Sequence, residues 1–178
     1  AIECTNKNKF ANIPDAYFDK LLSTLISLMR NKNINNKTRG YAALIILMSQ
    51  TGLRISQILS LKVDAISDTG ISNLDNASHF LEYTIIKKDV HESGVTVINQ
   101  LGYEAYTFLE EVFKDKREKL KTDYLFCPPH LNAVPVSPSA FSSNLLRLIV
   151  EFGDDIGAVN TDEDYPELNT ISIGEVKD

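Results

Sequence analysis

Hydrophobic positions along the chain change period several times, and each change marks an element. Ile13-Pro14-Asp15 has the form of a helix start, and Tyr17, Leu21, Leu22, Leu25, Ile26, Leu28 and Met29 continue as an amphipathic helix to about Arg30. An asparagine-rich loop, Asn31 to Asn36, follows, and Lys37-Thr38-Arg39 leads into a second helix. Its run Tyr41-Ala42-Ala43-Leu44-Ile45-Ile46-Leu47-Met48 is apolar on every side, the mark of a helix buried all round. Gly52 stands where that helix must end in a left-handed turn, and Ile55, Ile58 and Leu59 start another helix within a residue or two of Arg54.

Beyond a turn-like stretch at 68–78, Phe80 to Lys88 alternates as a strand, with Leu81, Tyr83 and Ile85 on one side. The pattern predicts a turn over Asp89 to Gly94 and a returning strand over Val95 to Ile98. Leu101, Ala105, Leu109, Val112 and Phe113 define a further helix, whose charged run Lys114 to Lys121 reads as a solvated last turn. Tyr124-Leu125-Phe126 is a short extended piece. Ser137-Pro138 supplies a cap and a first-turn proline for a helix striped by Phe141, Leu145, Leu148, Ile149 and Phe152, aromatics expected in the core. The fold class expected is mainly α with a small antiparallel β-sheet (α+β).

A chain of 178 residues can bury one sizeable core. No run is long and apolar enough to cross a membrane and no signal peptide is visible, so a cytosolic (cytoplasmic) protein is expected, with no membrane partner. Cys4 and Cys127 lie far apart, and His79, His91 and His130 form no ligand pair, so neither a disulfide framework nor a metal site is expected. There is no glycine-rich phosphate loop and no G-x-S-x-G elbow, and no cofactor is expected.

The net charge of −6 is unevenly spread. Residues 1–62 carry net +6, residues 63–150 net −4, and residues 151–178 net −8. The cationic part is the part that contains Arg54, and a local basic field can attract DNA despite an acidic total. At the mouth of a tight helix-turn-helix, a guanidinium beside free backbone N–H groups is a good seat for a phosphate. The same residue could equally be a surface arginine beside a helical hairpin. Lys87 and Lys88, at the end of the first strand, likewise admit two readings: a functional pair, or a solvated edge that guards against strand pairing. Strand parity puts Lys87 with the apolar face and Lys88 on the freer one.

Thr51-Gly52-Leu53-Arg54-Ile55-Ser56-Gln57-Ile58-Leu59-Ser60-Leu61, followed by Asp64-Ala65-Ile66, resembles the first-arginine box of the tyrosine recombinases (the phage-integrase family). Their usual form is T-G-x-R-x-x-E-x-x-x-L, then a D-I pair. Gln57 stands where the family normally has an acid, and it brings no negative charge to hold a neighbouring cation. The opening Ile13-Pro14 before a helix, the hairpin, and Tyr124-Leu125-Phe126 before Val136-Ser137 and Phe141 are similar to the family at matching distances. Val97-Ile98-Asn99 lacks the proline usual there.

The resemblance implies a tyrosine-recombinase catalytic-domain-like fold and an enzyme that cuts and rejoins double-stranded DNA through a 3′-phosphotyrosyl link. It implies Arg54 as a catalytic cation on the phosphate and Lys88 as the acid for the leaving 5′-hydroxyl. Lys37, Arg39 and Lys87 become candidate DNA contacts, with self-association on DNA expected for a full-length parent. Past Gly153 the resemblance stops: residues 154–178 hold no histidine and no arginine, so the H-x-x-R pair is missing. Tyr165 lies in Asp-Glu-Asp-Tyr-Pro-Glu, where carboxylates repel a phosphate, so it is a poor nucleophile. The expected organisation is a loose segment at 1–12, a partial catalytic domain at 13–153 and an acidic segment at 154–178. The chain is expected to be an excised piece covering roughly the first two-thirds of such a domain and to be inactive alone. Two rivals stand: a non-catalytic DNA-binding or regulatory protein on the same scaffold, and an unrelated helical protein that mimics the box.

Overall fold

The computed structural model of the chain describes residues 15–68, 79–87 and 90–151, with backbone alone at 16–17, 68, 86–87, 90–91 and 146–151. Within them lie six helices and three strands: α1 (Asp15–Arg30), α2 (Asn36–Thr51), α3 (Ile55–Leu59), β1 (Ile66–Asp68), β2 (His79–Lys87), β3 (Val90–Ile98), α4 (Gln100–Val112), α5 (Lys114–Leu120) and α6 (Pro138–Glu151). The mainly helical α+β class read from the sequence is the class observed.

The apolar run of α2 makes it the central element. Tyr41, Ala42, Ala43, Leu44, Ile46 and Leu47 are buried, and α1 and α4 pack on it. Its start is set by Asn35, whose side chain accepts from Thr38 N–H at 2.9 Å. The asparagine loop is thus turn and cap chemistry; Asn31 also accepts from Asn33 N–H at 3.0 Å. Close approach of α2 to the end of α4 depends on Gly40, where a Cβ would lie 2.3 Å from Phe113 Cζ. Tyr41 joins the helices to the C-terminal part, stacking on Phe141 at 5.8 Å and meeting Phe126 edge-on at 5.1 Å. Phe126 and Phe141 are core residues, as their patterning predicts.

The sheet is antiparallel in the order β1-β2-β3, with Ile66 opposite Leu81 and β2 paired to β3 from His79↔Ile98 to Lys87↔Val90. Leu81 and Ile98 are buried against the helices, while Val95 and Val97 face outward. Strand β3 starts at Val90, so the turn predicted over Asp89 to Gly94 is corrected: residues 90–94 are strand, and the connection is residues 88–89, outside the described residues. Gly94 holds its place in the strand because the Tyr83 ring covers it from across the pair; a Cβ there would lie 2.6 Å from Tyr83 Cζ.

The charged run after α4 is a helix of its own, and here the sequence reading is corrected again. Arg117 turns inward and is 8% exposed. Its guanidinium donates to the carbonyls of Leu109, Glu110 and Leu125, tying the end of α4 to the extended piece at 124–127. That piece pairs with the segment after α3 through Leu125 N–H to Leu61 O at 2.8 Å and Val63 N–H to Asp123 O at 2.9 Å.

Candidate functional site

Arg54 occupies the elbow between α2 and α3, and three local features build that elbow. Gly52 ends α2 in the left-handed region at φ 64°, with its N–H bonded to Met48 O at 2.9 Å. Thr51 Oγ1 donates back to Leu47 O at 2.8 Å and accepts from Leu53 N–H at 3.3 Å. Arg54 is then the N-cap residue of α3, with φ −67° and ψ 151°, and its carbonyl accepts from Gln57 and Ile58 N–H.

Gln57 explains itself in this setting. Its Oε1 accepts from Arg54 N–H at 2.8 Å, the returning half of a capping box. A guanidinium has no acceptor, so the other half of such a box is absent. A neutral amide serves this backbone role as well as a carboxylate, and Gln57 leaves the Arg54 side chain unpaired. That side chain is exposed, and among the described residues it has neither a hydrogen-bond nor an ion-pair partner. The helix it precedes has five residues, so its dipole adds little, and the cation itself is the main electrostatic feature.

The other predicted site residues are distributed as follows. Lys37 and Arg39 are in the first turn of α2, about 20 Å along the helix from the elbow. Lys37 is half-buried and has no hydrogen-bond partner among the described residues. Arg39 has structural work: Nε donates to Met29 O at 2.9 Å, Nη1 to Asn36 Oδ1 at 3.1 Å, and its guanidinium lies 4.7 Å from the centre of the Phe108 ring. Lys87 closes β2 about 20 Å along the strand from Leu81, and its side chain lies outside the described residues, as does the whole of Lys88. The structure therefore separates Lys37 and Arg39 from Arg54.

Between the segment after α3 and the sheet lies a cavity of about 410 Å³, walled by residues that include Asp64, Glu82, Glu92 and Ser93. Ser93 Oγ donates to Glu82 Oε1 at 2.5 Å. Its one lysine, Lys62, is held by Asp123 at 2.5 Å and lies 3.6 Å over the Tyr124 ring. Three carboxylates on the rim make this cavity a poor seat for a phosphate, which leaves the elbow as the better one. Tyr106 fixes the cavity's floor to α4: its hydroxyl donates to Lys62 O at 2.7 Å and accepts from Ala65 N–H at 3.0 Å, and burial pushes its ionisation well above the usual tyrosine range. Sequence reasoning missed Tyr106 and Arg117, since a lone tyrosine on an apolar stripe and one cation in a mixed run give no sign of a backbone acceptor. Among the described residues, no group of acidic, histidine or cysteine side chains could hold a metal ion, and no helix is long and apolar enough to cross a membrane.

Comparison with known proteins places this geometry. No curated protein matches the chain. Among solved structures, the fold is similar to the XerH site-specific recombinase bound to difH substrate, in a pre-cleavage complex (TM-score 0.55, 21% identity, 84% of this chain). It is also similar to the post-cleavage complex on palindromic difH substrate (TM-score 0.57, 19% identity, 85% of this chain). The matched region spans 39% of the XerH chain in both cases. The sequence profile of the phage integrase family matches residues 21–162, which removes the unrelated helical protein from consideration. With the arginine box, the elbow it builds and the antiparallel hairpin all inside the matched span, this chain belongs to the phage integrase family, through the catalytic domain of the tyrosine recombinases.

Proposed function

We propose that this chain supplies part of the active site of a site-specific recombinase that cuts and rejoins double-stranded DNA through a 3′-phosphotyrosyl intermediate. In that reaction a tyrosine oxygen bonds to the scissile phosphorus and the 5′-oxygen departs. Arg54 donates N–H groups to the non-bridging oxygens, where negative charge gathers in the pentacoordinate state. Lys88 gives its proton to the departing 5′-oxygen. Lys37 and Lys87 contact flanking phosphates, as does Arg39 through Nη2, which has no hydrogen-bond partner among the described residues. No metal ion enters this scheme.

The observation that carries the reading is the Arg54 side chain: a cation exposed on a built elbow, inside the family's box, with no internal partner among the described residues. The similarity of fold to XerH, which binds difH substrate, supports DNA as the partner. The test is binding of a fluorescein-labelled DNA duplex across a salt series. The wild-type chain is expected to lose affinity steeply with salt, and Arg54→Ala to weaken binding about tenfold and flatten the log–log slope by about one. Equal curves for both proteins would remove Arg54 from the interface.

The chain by itself is expected to form no covalent adduct with suicide DNA substrates, because 154–178 hold no H-x-x-R and Tyr165 lies among carboxylates. The same two facts favour a second reading, a non-catalytic DNA-binding or regulatory protein on this scaffold. Codons for an H-x-x-R and then a tyrosine beyond Asp178 would support the first reading, and a stop codon there the second.

A further inference from the structure

Asn99 does two things with one side chain. Its Oδ1 accepts from Gly102 N–H at 2.9 Å and caps α4. Its Nδ2 donates to Gln50 Oε1 at 2.6 Å. Gln50 lies in the last turn of α2, two residues before Gly52 and four before Arg54, and its Nε2 is turned to Ser49 Oγ at 3.0 Å, so its oxygen faces Asn99. On the other side, Asn99 directly follows Ile98, the end of β3, which is paired along its whole length with β2. The three elements meet closely: a Cβ on Gly102 would lie 3.3 Å from Ile98 Cβ and 3.4 Å from Gln50 Cβ. One amide thus bridges the helix turn that leads into the elbow and the strand that leads to the hairpin tip.

We propose that Asn99 is a positioning residue: its bond to Gln50 fixes the elbow of Arg54 against the β2–β3 hairpin, so that Arg54 meets the DNA phosphate in one geometry. The inference rests on the DNA-contacting role given to Arg54 above. Groups that act on one phosphate must be held to within about half an ångström, and a side chain on a short elbow needs such support from a neighbouring element. Both partners are half-buried, so the bond is partly shielded from water and keeps its direction.

Two substitutions in the whole chain break the bond from opposite ends. In Asn99→Ser the hydroxyl still caps Gly102 but is too short to reach Gln50. In Gln50→Leu the acceptor is gone and the cap is untouched. The first readout is amide hydrogen exchange at Gly52 and Arg54. It is expected to speed up several-fold in both variants, with α1 amides unchanged. The second is the factor by which adding Arg54→Ala weakens binding to the fluorescein-labelled duplex. It is expected to fall from about tenfold in the wild type to under about twofold in either background. Glu104→Gln, which removes the α1–α4 ion pair instead, is expected to leave both readouts as in the wild type.

Unchanged exchange at the elbow in both variants overturns the proposal, as does an Arg54→Ala penalty that stays near tenfold in both. If Arg54→Ala carries no penalty even in the wild type, the DNA-contacting role itself fails, while the exchange data still decide whether Asn99 holds the elbow.

Discussion

Arg54 and Arg117 show how differently two arginines of one chain are used. Arg54 spends its backbone on the elbow and leaves its guanidinium in solvent. Its replacement by alanine is expected to change stability by under about 0.5 kcal/mol, while the DNA affinity falls; thermal unfolding and binding on the same preparation check both. Arg117 is the reverse case, a buried cation whose donors satisfy three backbone carbonyls. Arg117→Ala removes the guanidinium donors from those carbonyls, leaving Leu109 O with only the long bond from Phe113 N–H at 3.4 Å, and is expected to cost about 3 kcal/mol in urea unfolding. Lysine, a single point donor, should recover only part of that. The motif made Arg54 legible in the sequence, because its neighbours are the glycine and threonine that build the turn. Arg117 was not legible: Lys114, Lys116, Arg117, Lys119 and Lys121 read alike until the carbonyls of α4 and Leu125 are placed beside one of them.

At the scale of elements, periodicity located each long helix, and caps set their ends: Asn35 for α2, Asn99 for α4, and Ser137, which accepts from Ala140 N–H at 3.2 Å, for α6. The three-residue strand β1 was missed, since it is too short to show alternation and becomes a strand through its pairing with β2. The hairpin turn was placed too late, because Gly94 resembles a turn residue in sequence and becomes a strand residue only when Tyr83 covers it. Gly40 within α2 and Gly52 at its C-cap separate packing cost from backbone cost. At Gly52 a Cβ meets nothing within 4 Å, so Gly52→Ala is expected to cost about 1 kcal/mol, all of it from the left-handed backbone. At Gly40 the backbone is ordinary but the Phe113 ring is in the way, and Gly40→Ala is expected to cost about 1–3 kcal/mol or more from overpacking. Urea midpoints that rank the two variants in the opposite order would contradict this packing of α2 against Phe113.

Across the whole molecule, charge is segregated rather than absent. The cationic residues 1–62 carry the elbow, and the rim of the cavity between the segment after α3 and the sheet is acidic. Ion pairs between elements also set an acid limit on stability. Arg30 binds Glu104 through two hydrogen bonds, of 2.7 and 2.6 Å, between α1 and α4, and this hydrogen bonding holds the Glu104 carboxyl below its ordinary value of 4.5. Lys62 does the same for Asp123. In both cases the folded state favours the ionised form, so the stabilisation is complete above the ordinary carboxylate value and is lost as pH falls through the lower folded value. Melting temperatures of wild type and Glu104→Gln are therefore expected to differ near neutral pH and to converge in acid, by a small amount because both groups are exposed. A gap that stays constant down to strong acid would contradict the pairing.

The claim on which this account turns is that Arg54 and the hairpin lysine Lys88 act on one phosphate of bound DNA. A crystal structure of the chain on a DNA duplex measures this directly. The Arg54 guanidinium and the Lys88 ammonium are expected within hydrogen-bonding distance of oxygens on the same phosphate. Either group on a different phosphate, or Arg54 turned away from the duplex, would contradict it.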